Sequence, residues 1–208
     1  MTLHAVGTYG SLPGPTVVLL HGWGSDEQDL AGLAPYLPDA MAWASVRAPL
    51  RHPSYGYAWY QLDSEESWAN TAAIDEAADA LWEWVEQALG PDASVVPVGF
   101  SQGGLMASQL LRTRPNRVPA AAILSGYVLP TQLEADAVLS ERRPPVFWGR
   151  GEWDLVIPGH AIAATDAVLP AISTLEAREY PGMAHAVCEE ELADLRAFLT
   201  RWLASRES

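Results

Sequence analysis

Short β-prone runs, most of them apolar, alternate along the chain with longer stretches in which apolar residues recur every three to four positions. The runs fall at 17–20, 42–46, 95–98, 121–124, 146–148 and 174–180. Runs of this length bounded by turn residues read as strands covered on both faces, and their alternation with helical patterns predicts a mostly parallel sheet with helices on both sides. The first helix is predicted from the capping-box spacing of Ser25 and Gln28 to about residue 37. The next begins at a candidate Asn70 cap, carries Ile74, Ala78, Leu81, Val85 and Leu89 on one stripe, and stops at Gly90-Pro91. Its acidic residues, Asp75, Glu76, Asp79, Glu83 and Glu86, read as a solvated face. Further helices are predicted after Ser101 up to residue 114, over 159–168, and over 189–203, where Leu192, Leu195, Leu199 and Trp202 form the apolar side. No internal repeat or low-complexity linker interrupts the pattern, so a single domain over residues 1–208 is expected.

Composition narrows the function classes. Of 208 residues, 49% are apolar and 18% charged, enough to bury about 70% of the unfolded surface without disulfides or a structural metal. Twenty-six acidic residues face 12 basic ones, every one an Arg, for a net charge of -14. That balance makes nucleic acid and anionic membrane surfaces poor partners. The lone Cys188 excludes an internal disulfide and a multi-Cys metal site. The opening MTLHAVGTYG lacks a basic region followed by an apolar core, and no apolar run approaches the ~18 residues that span a bilayer. A cytoplasmic chain with no stable membrane insertion is expected, and a homodimer is compatible with the sequence.

The most informative segment is 95–108, where an apolar run leads into Gly99-Phe100-Ser101-Gln102-Gly103-Gly104 and then a helical pattern. A serine on so sharp a strand-to-helix turn is forced toward positive φ, and the positions two residues either side must be free of bulk. Gly99 and Gly103 meet that demand, leaving the Ser101 hydroxyl exposed above a helix N-terminus whose partial positive charge favours a developing oxyanion. An ordinary hydroxyl is a poor nucleophile at neutral pH and needs a base. Of the five histidines, only His185 lies on a turn between the last strand and the last helix, where it reaches the sheet edge that presents Ser101. The carboxylate that would fix its tautomer is Asp154, just past the 146–148 run, with Glu152 as competitor; the apolar 155–157 stretch is expected to bury Asp154. The order Ser101, Asp154, His185 is that of α/β-hydrolases. Oxyanion donors are expected from the backbone N–H groups of Gln102 and, in the loop His21-Gly22-Trp23-Gly24, of Trp23. His21 itself reads as a loop-orienting side chain rather than a proton carrier.

HGWGSDEQDL, APLRHPSYGYAWY, VGFSQGGLMA, the ILSG strand end, GRGEWDLVIP and GMAHAV together resemble the small phospholipase/carboxylesterase family of α/β-hydrolases, which includes bacterial carboxylesterases and acyl-protein thioesterases. The resemblance spans nearly the whole chain and puts that family's nucleophile, acid and base on Ser101, Asp154 and His185, and its oxyanion amides on Trp23 and Gln102. The stretch Arg150-Gly151-Glu152-Trp153 departs from the family, where a smaller and often histidine-containing stretch is usual. Fewer than twenty residues separate the strand ending near Gly126 from the one starting near Pro145, so no large cap domain is expected and the site should be open. Tyr55, Tyr57, Trp59 and Tyr60 offer a wall for an acyl or aryl group, with core packing as the equal alternative. No phosphate loop or metal-spaced cluster is present, so no cofactor is expected. Cys188 reads as a small buried filler. The expected activity is hydrolysis of a small-molecule carboxylic ester, short- to medium-chain or aryl, through an acyl-enzyme. A thioesterase and, from another class, a non-catalytic binding module on the same fold are the alternatives.

Overall fold

The computed structural model describes residues 3–62 and 70–206. In chain order the elements are β1 (Ala5–Gly7), β2 (Thr16–Leu20), α1 (Glu27–Ala31), a 3-10 turn (Ala34–Tyr36), β3 (Trp43–Val46), β4 (Leu50–Arg51), β5 (Tyr57–Ala58), α2 (Thr71–Leu89), β6 (Val95–Phe100), α3 (Gln102–Thr113), a second 3-10 turn (Pro115–Arg117), β7 (Ala121–Leu124), α4 (Asp136–Arg142), β8 (Pro145–Gly151), α5 (Gly159–Ile172), β9 (Thr174–Tyr180) and α6 (Glu189–Ala204). Seven strands form one sheet in the order β1-β3-β2-β6-β7-β8-β9. All its pairings are parallel except that of the edge strand β1 with β3.

Val17, Val18, Leu19 and Leu20 are fully buried, and their alternation divides the core in two. Val18 and Leu20 face α2, α3 and α5, where Ile74, Leu81, Leu105 and Leu169 pack. Val17 and Leu19 face α1 and α6, with Leu30, Leu33, Leu195 and Leu199. Two covered faces leave no polar side for a strand to show, which is why these strands read as unbroken apolar runs.

The expected strands and the mostly parallel, two-sided sheet are present; the differences lie in short elements. The single helix expected over 25–37 is instead α1 followed by a 3-10 turn containing Pro35. Its cap is Asp26, whose Oδ1 accepts from the Gln28 N–H at 2.9 Å, while the Ser25 hydroxyl donates to Asp29 Oδ2 at 2.7 Å. The serine hydroxyl is engaged with Asp29, and the aspartate one residue on, an equally good cap, takes the free N–H. α5 continues past residue 168 to Ile172 with Pro170 inside its last turn. The 126–145 connection holds no lid. It folds into α4 and is tied to the core by the buried Arg112, whose guanidinium donates to both Asp136 oxygens, at 2.8 and 2.6 Å, and to the Leu129 and Thr131 carbonyls.

Candidate active site

β6 ends at Phe100 and α3 begins at Gln102, so Ser101 must turn the chain by itself, which it does at φ 55° and ψ −117°. The turn closes because its flanks carry no side chains. A Cβ on Gly99 would run into the Gly103 backbone, and one on Gly103 into the carbonyls of Leu20 and His21. The Ser101 N–H donates to the Leu124 carbonyl at 2.9 Å, which fixes the turn to β7.

The carboxyl ends of β6, β8 and β9 converge, and the loops beyond them bring three expected side chains together. His185 Nε2 lies 2.8 Å from Ser101 Oγ, and His185 Nδ1 lies 2.8 Å from Asp154 Oδ2. Carboxylate oxygens only accept, so Nδ1 carries the proton and Nε2 is left to accept from the serine hydroxyl. The other Asp154 oxygen accepts from the N–H groups of Val156 (2.9 Å) and Ile157 (3.2 Å), which hold the carboxylate in place. Asp154 is buried, but not by the whole apolar stretch expected to cover it. Leu155 is 94% exposed and Val156 50%, leaving Ile157 as the one covered residue of the three. The turn that supplies Asp154 its two amides also sends Leu155 outward. Glu152, the competing acid, does not meet the imidazole; its Oε2 accepts from the Gly182 N–H at 3.1 Å, at the base of the histidine turn.

On the opposite side of Ser101 stands the 21–24 loop. Buried His21 accepts at Nε2 from the Ala48 N–H (3.0 Å), so its Nδ1 donates to the Gly22 carbonyl (2.7 Å). Burial pushes its pKa below the ordinary histidine value, which suits a neutral, loop-orienting ring. A Cβ on Gly22 would sit 3.1 Å from the Phe100 ring and 3.5 Å from the Ser101 Cβ, so this loop passes close against the nucleophile turn. Among the described residues, neither the Trp23 N–H nor the Gln102 N–H is taken up by a protein acceptor. Trp23 itself is 42% exposed, edge-on to the His52 ring at 4.2 Å.

The four aromatic residues offered as a pocket wall separate. Trp59 and Tyr60 are fully buried core residues, Tyr57 is half-buried under the Arg47 guanidinium, and Tyr55 is 74% exposed. Core packing therefore describes Trp59 and Tyr60. Trp59 Nε1 donates to the His21 carbonyl at 2.9 Å, and the Gln102 amide accepts from the Trp59 N–H (2.9 Å) and donates to the Tyr60 carbonyl (2.7 Å). One buried strap thus joins the two loops whose amides are free. Cys188 is half-buried rather than buried, and caps α6 by accepting from the Glu191 N–H at its sulfur (3.5 Å).

Sequence reading missed Phe100, whose ring lies 4.9 Å from that of His185. It also missed Ser125, at φ 43°, whose hydroxyl donates to the Ala186 carbonyl beside the histidine. The Ser125-Gly126 pair at a strand end was the available signal, but nothing in spacing says which loop it braces. Among the described residues no group of three or more His, Cys, Asp or Glu is placed to hold a metal ion, and no helix is long and apolar enough to cross a membrane.

Comparison with known proteins shows the family. The phospholipase/carboxylesterase family profile matches residues 4–203. Acyl-protein thioesterase 1 of Saccharomyces cerevisiae is 27% identical over 213 residues, 91% of this chain and 93% of that protein. Among solved structures, esterase PE8 superposes with a TM-score of 0.77 at 27% identity, covering 97% of this chain and 99% of its own. The Bacillus cereus carboxylesterase shares the fold, with a TM-score of 0.80 at 19% identity over 96% of this chain and 94% of its own.

Proposed function

This chain belongs to the phospholipase/carboxylesterase family of α/β-hydrolases and is an esterase-type hydrolase, and on that premise we propose that it cleaves carboxylic esters of short- to medium-chain or aryl type through a Ser101 acyl-enzyme. The observation that carries the reading is the unbroken hydrogen-bonded series from Ser101 Oγ through His185 to Asp154. Ser101 Oγ attacks the acyl carbon while His185 Nε2 takes its proton, and Asp154 steadies the imidazolium. The negative oxygen of the tetrahedral intermediate accepts from the free N–H groups of Trp23 and Gln102. The intermediate collapses by breaking the bond to the leaving oxygen, to which His185 returns the proton, and Ser101 keeps the acyl group. Water then repeats the sequence, with His185 as base and then acid, releasing the carboxylic acid and free serine.

A thioester would be attacked by the same groups, and the 27% identity to a protein named an acyl-protein thioesterase favours that second reading. Oxygen and sulfur esters of one acyl group, measured side by side, decide between them. Labelling by a fluorophosphonate tests the mechanism beneath both. A folded chain whose Ser101 stays unlabelled is a binding module instead.

A further inference from the structure

A pocket of about 280 Å³ opens beside the histidine turn, lined by Asp29, Leu30, Leu33, Phe100, Ala186 and Val187. The reacting side chains do not line it, but their immediate chain neighbours do. Phe100 is the residue before the nucleophile and packs on the His185 ring, and Ala186 and Val187 continue the chain from His185 itself. In the proposed reaction the proton leaves from His185 toward the departing atom, so the departing group sits on the imidazole side of the tetrahedral carbon. The acyl part, held by the serine, points elsewhere.

The lining is apolar apart from one carboxylate, and its surroundings are acidic. Asp29 of α1 lines it, Asp26 caps that helix, and Glu189 and Glu190 follow the lining residue Val187 in the first turn of α6. Burial outweighs the fields of Asp26, Glu27 and Asp29, but those fields still reach the His21 ring in the neighbouring loop. Arg47 is committed to Glu27 of α1, with hydrogen bonds of 2.6 and 2.5 Å, and Arg196 donates to the Pro35 and Leu37 carbonyls in the turn after Leu33. No lining residue is basic. A volume just below the usual range for small-ligand sites suits an aryl or short alkyl group and not a long chain.

We propose that this pocket receives the leaving alcohol or thiol of the substrate, and that it favours a neutral or cationic leaving group over an anionic one. The proposal rests on the ester-hydrolase reading and narrows it. Acyl chemistry would be read on the other side of Ser101, and phosphorylated or carboxylated leaving groups would be turned away by the acidic rim.

The test varies the leaving group of butyrate through methyl, benzyl, choline and 4-sulfobenzyl esters, with methyl hexanoate as the one change of acyl group. Leu33→Trp fills the pocket, and the ratio of kcat/KM for benzyl over methyl is expected to fall about tenfold. The ratio of methyl hexanoate to methyl butyrate should stay within twofold. Asp29→Asn keeps the acceptor for Ser25 and removes one charge, so the 4-sulfobenzyl-to-benzyl ratio should rise three- to tenfold at low salt and less at 1 M. If circular dichroism shows Leu33→Trp unfolded, the Asp29→Asn ratio alone decides. An unmoved benzyl-to-methyl ratio in a folded Leu33→Trp chain, an unmoved sulfobenzyl ratio in Asp29→Asn, or a shift in the acyl ratio instead, overturns the proposal while leaving ester hydrolysis intact. A wild-type chain that cleaves none of the esters and takes no fluorophosphonate overturns the parent reading and the pocket's role together.

Discussion

Ser101 holds a backbone conformation that costs about 1–3 kcal/mol and is retained because its neighbours leave no other path. Ser101→Ala keeps that backbone and removes only the hydroxyl, so the melting temperature should change little while turnover falls to a few per cent or less, read by kcat and a thermal melt. Asp154→Asn presents His185 with a donor in place of an acceptor and should cost up to about 10⁴-fold in kcat/KM. Glu152→Gln should stay within a few-fold, because Glu152 touches the Gly182 amide and not the imidazole; a larger loss than in Asp154→Asn would reassign the acid. At this scale the sequence was highly legible, since Gly99, Ser101 and Gly103 announce a turn that few other residues tolerate. The reason given for burying Asp154 was not legible in full. Whether Leu155 or Ile157 turns inward depends on the loop that offers Asp154 its two amides, and composition does not encode that.

The two helices with the longest apolar stripes, α2 and α6, were legible because each repeats its pattern over four turns. The three-residue β1, the β4–β5 pair and the seven-residue α4 are too short for any period to emerge, and they are specified by what they pack against. One such element carries a firm expectation. Arg112 reaches from α3 to α4, so Arg112→Ala should strand the Asp136 carboxylate and the Leu129 and Thr131 carbonyls, at a cost of about 3–5 kcal/mol by urea denaturation. In α6, Glu191 is fully buried against Gly149, and among the described residues neither of its oxygens has a hydrogen-bond partner. Burial pushes its pKa up to about 8, the Asp194 charge adds to this, and the Cys188 backbone offsets only part. The unfolded chain therefore releases this proton near the ordinary carboxyl range while the folded chain keeps it until about pH 8. Stability is lost as pH rises through that window, by about 1.4 kcal/mol per pH unit from this group alone. Glu191→Gln should raise the melting temperature at pH 8 and leave it nearly unchanged at pH 4, a difference that paired thermal melts resolve.

The whole molecule carries a net charge of -14 with arginine as its only strong cation, and many arginines are already bound to carboxylates or carbonyls. Retention on heparin at 50 mM salt should be absent, and a chain that binds would contradict the charge argument against polyanionic partners. The edge strand β9 is protected in the same way, with Glu176 bound by Arg178 and Arg201 and Glu179 by Arg150, so it offers charged rungs and not an apolar edge for another strand. The parallel sheet was legible from the alternation of elements, whereas the antiparallel β1 at its margin was not, because Ala5–Gly7 carries too little pattern to distinguish a strand from a tail. The glycine-packed turn around Ser101 also governs what lineages can descend from this chain. Since a Cβ at Gly99 strikes Gly103 and one at Gly103 strikes Leu20, no single substitution opens room for the other, and an inherited change at either position reaches a dead end before it can be compensated. Descendants with new substrate preferences must therefore diverge in the surrounding loops while the turn is passed on unaltered.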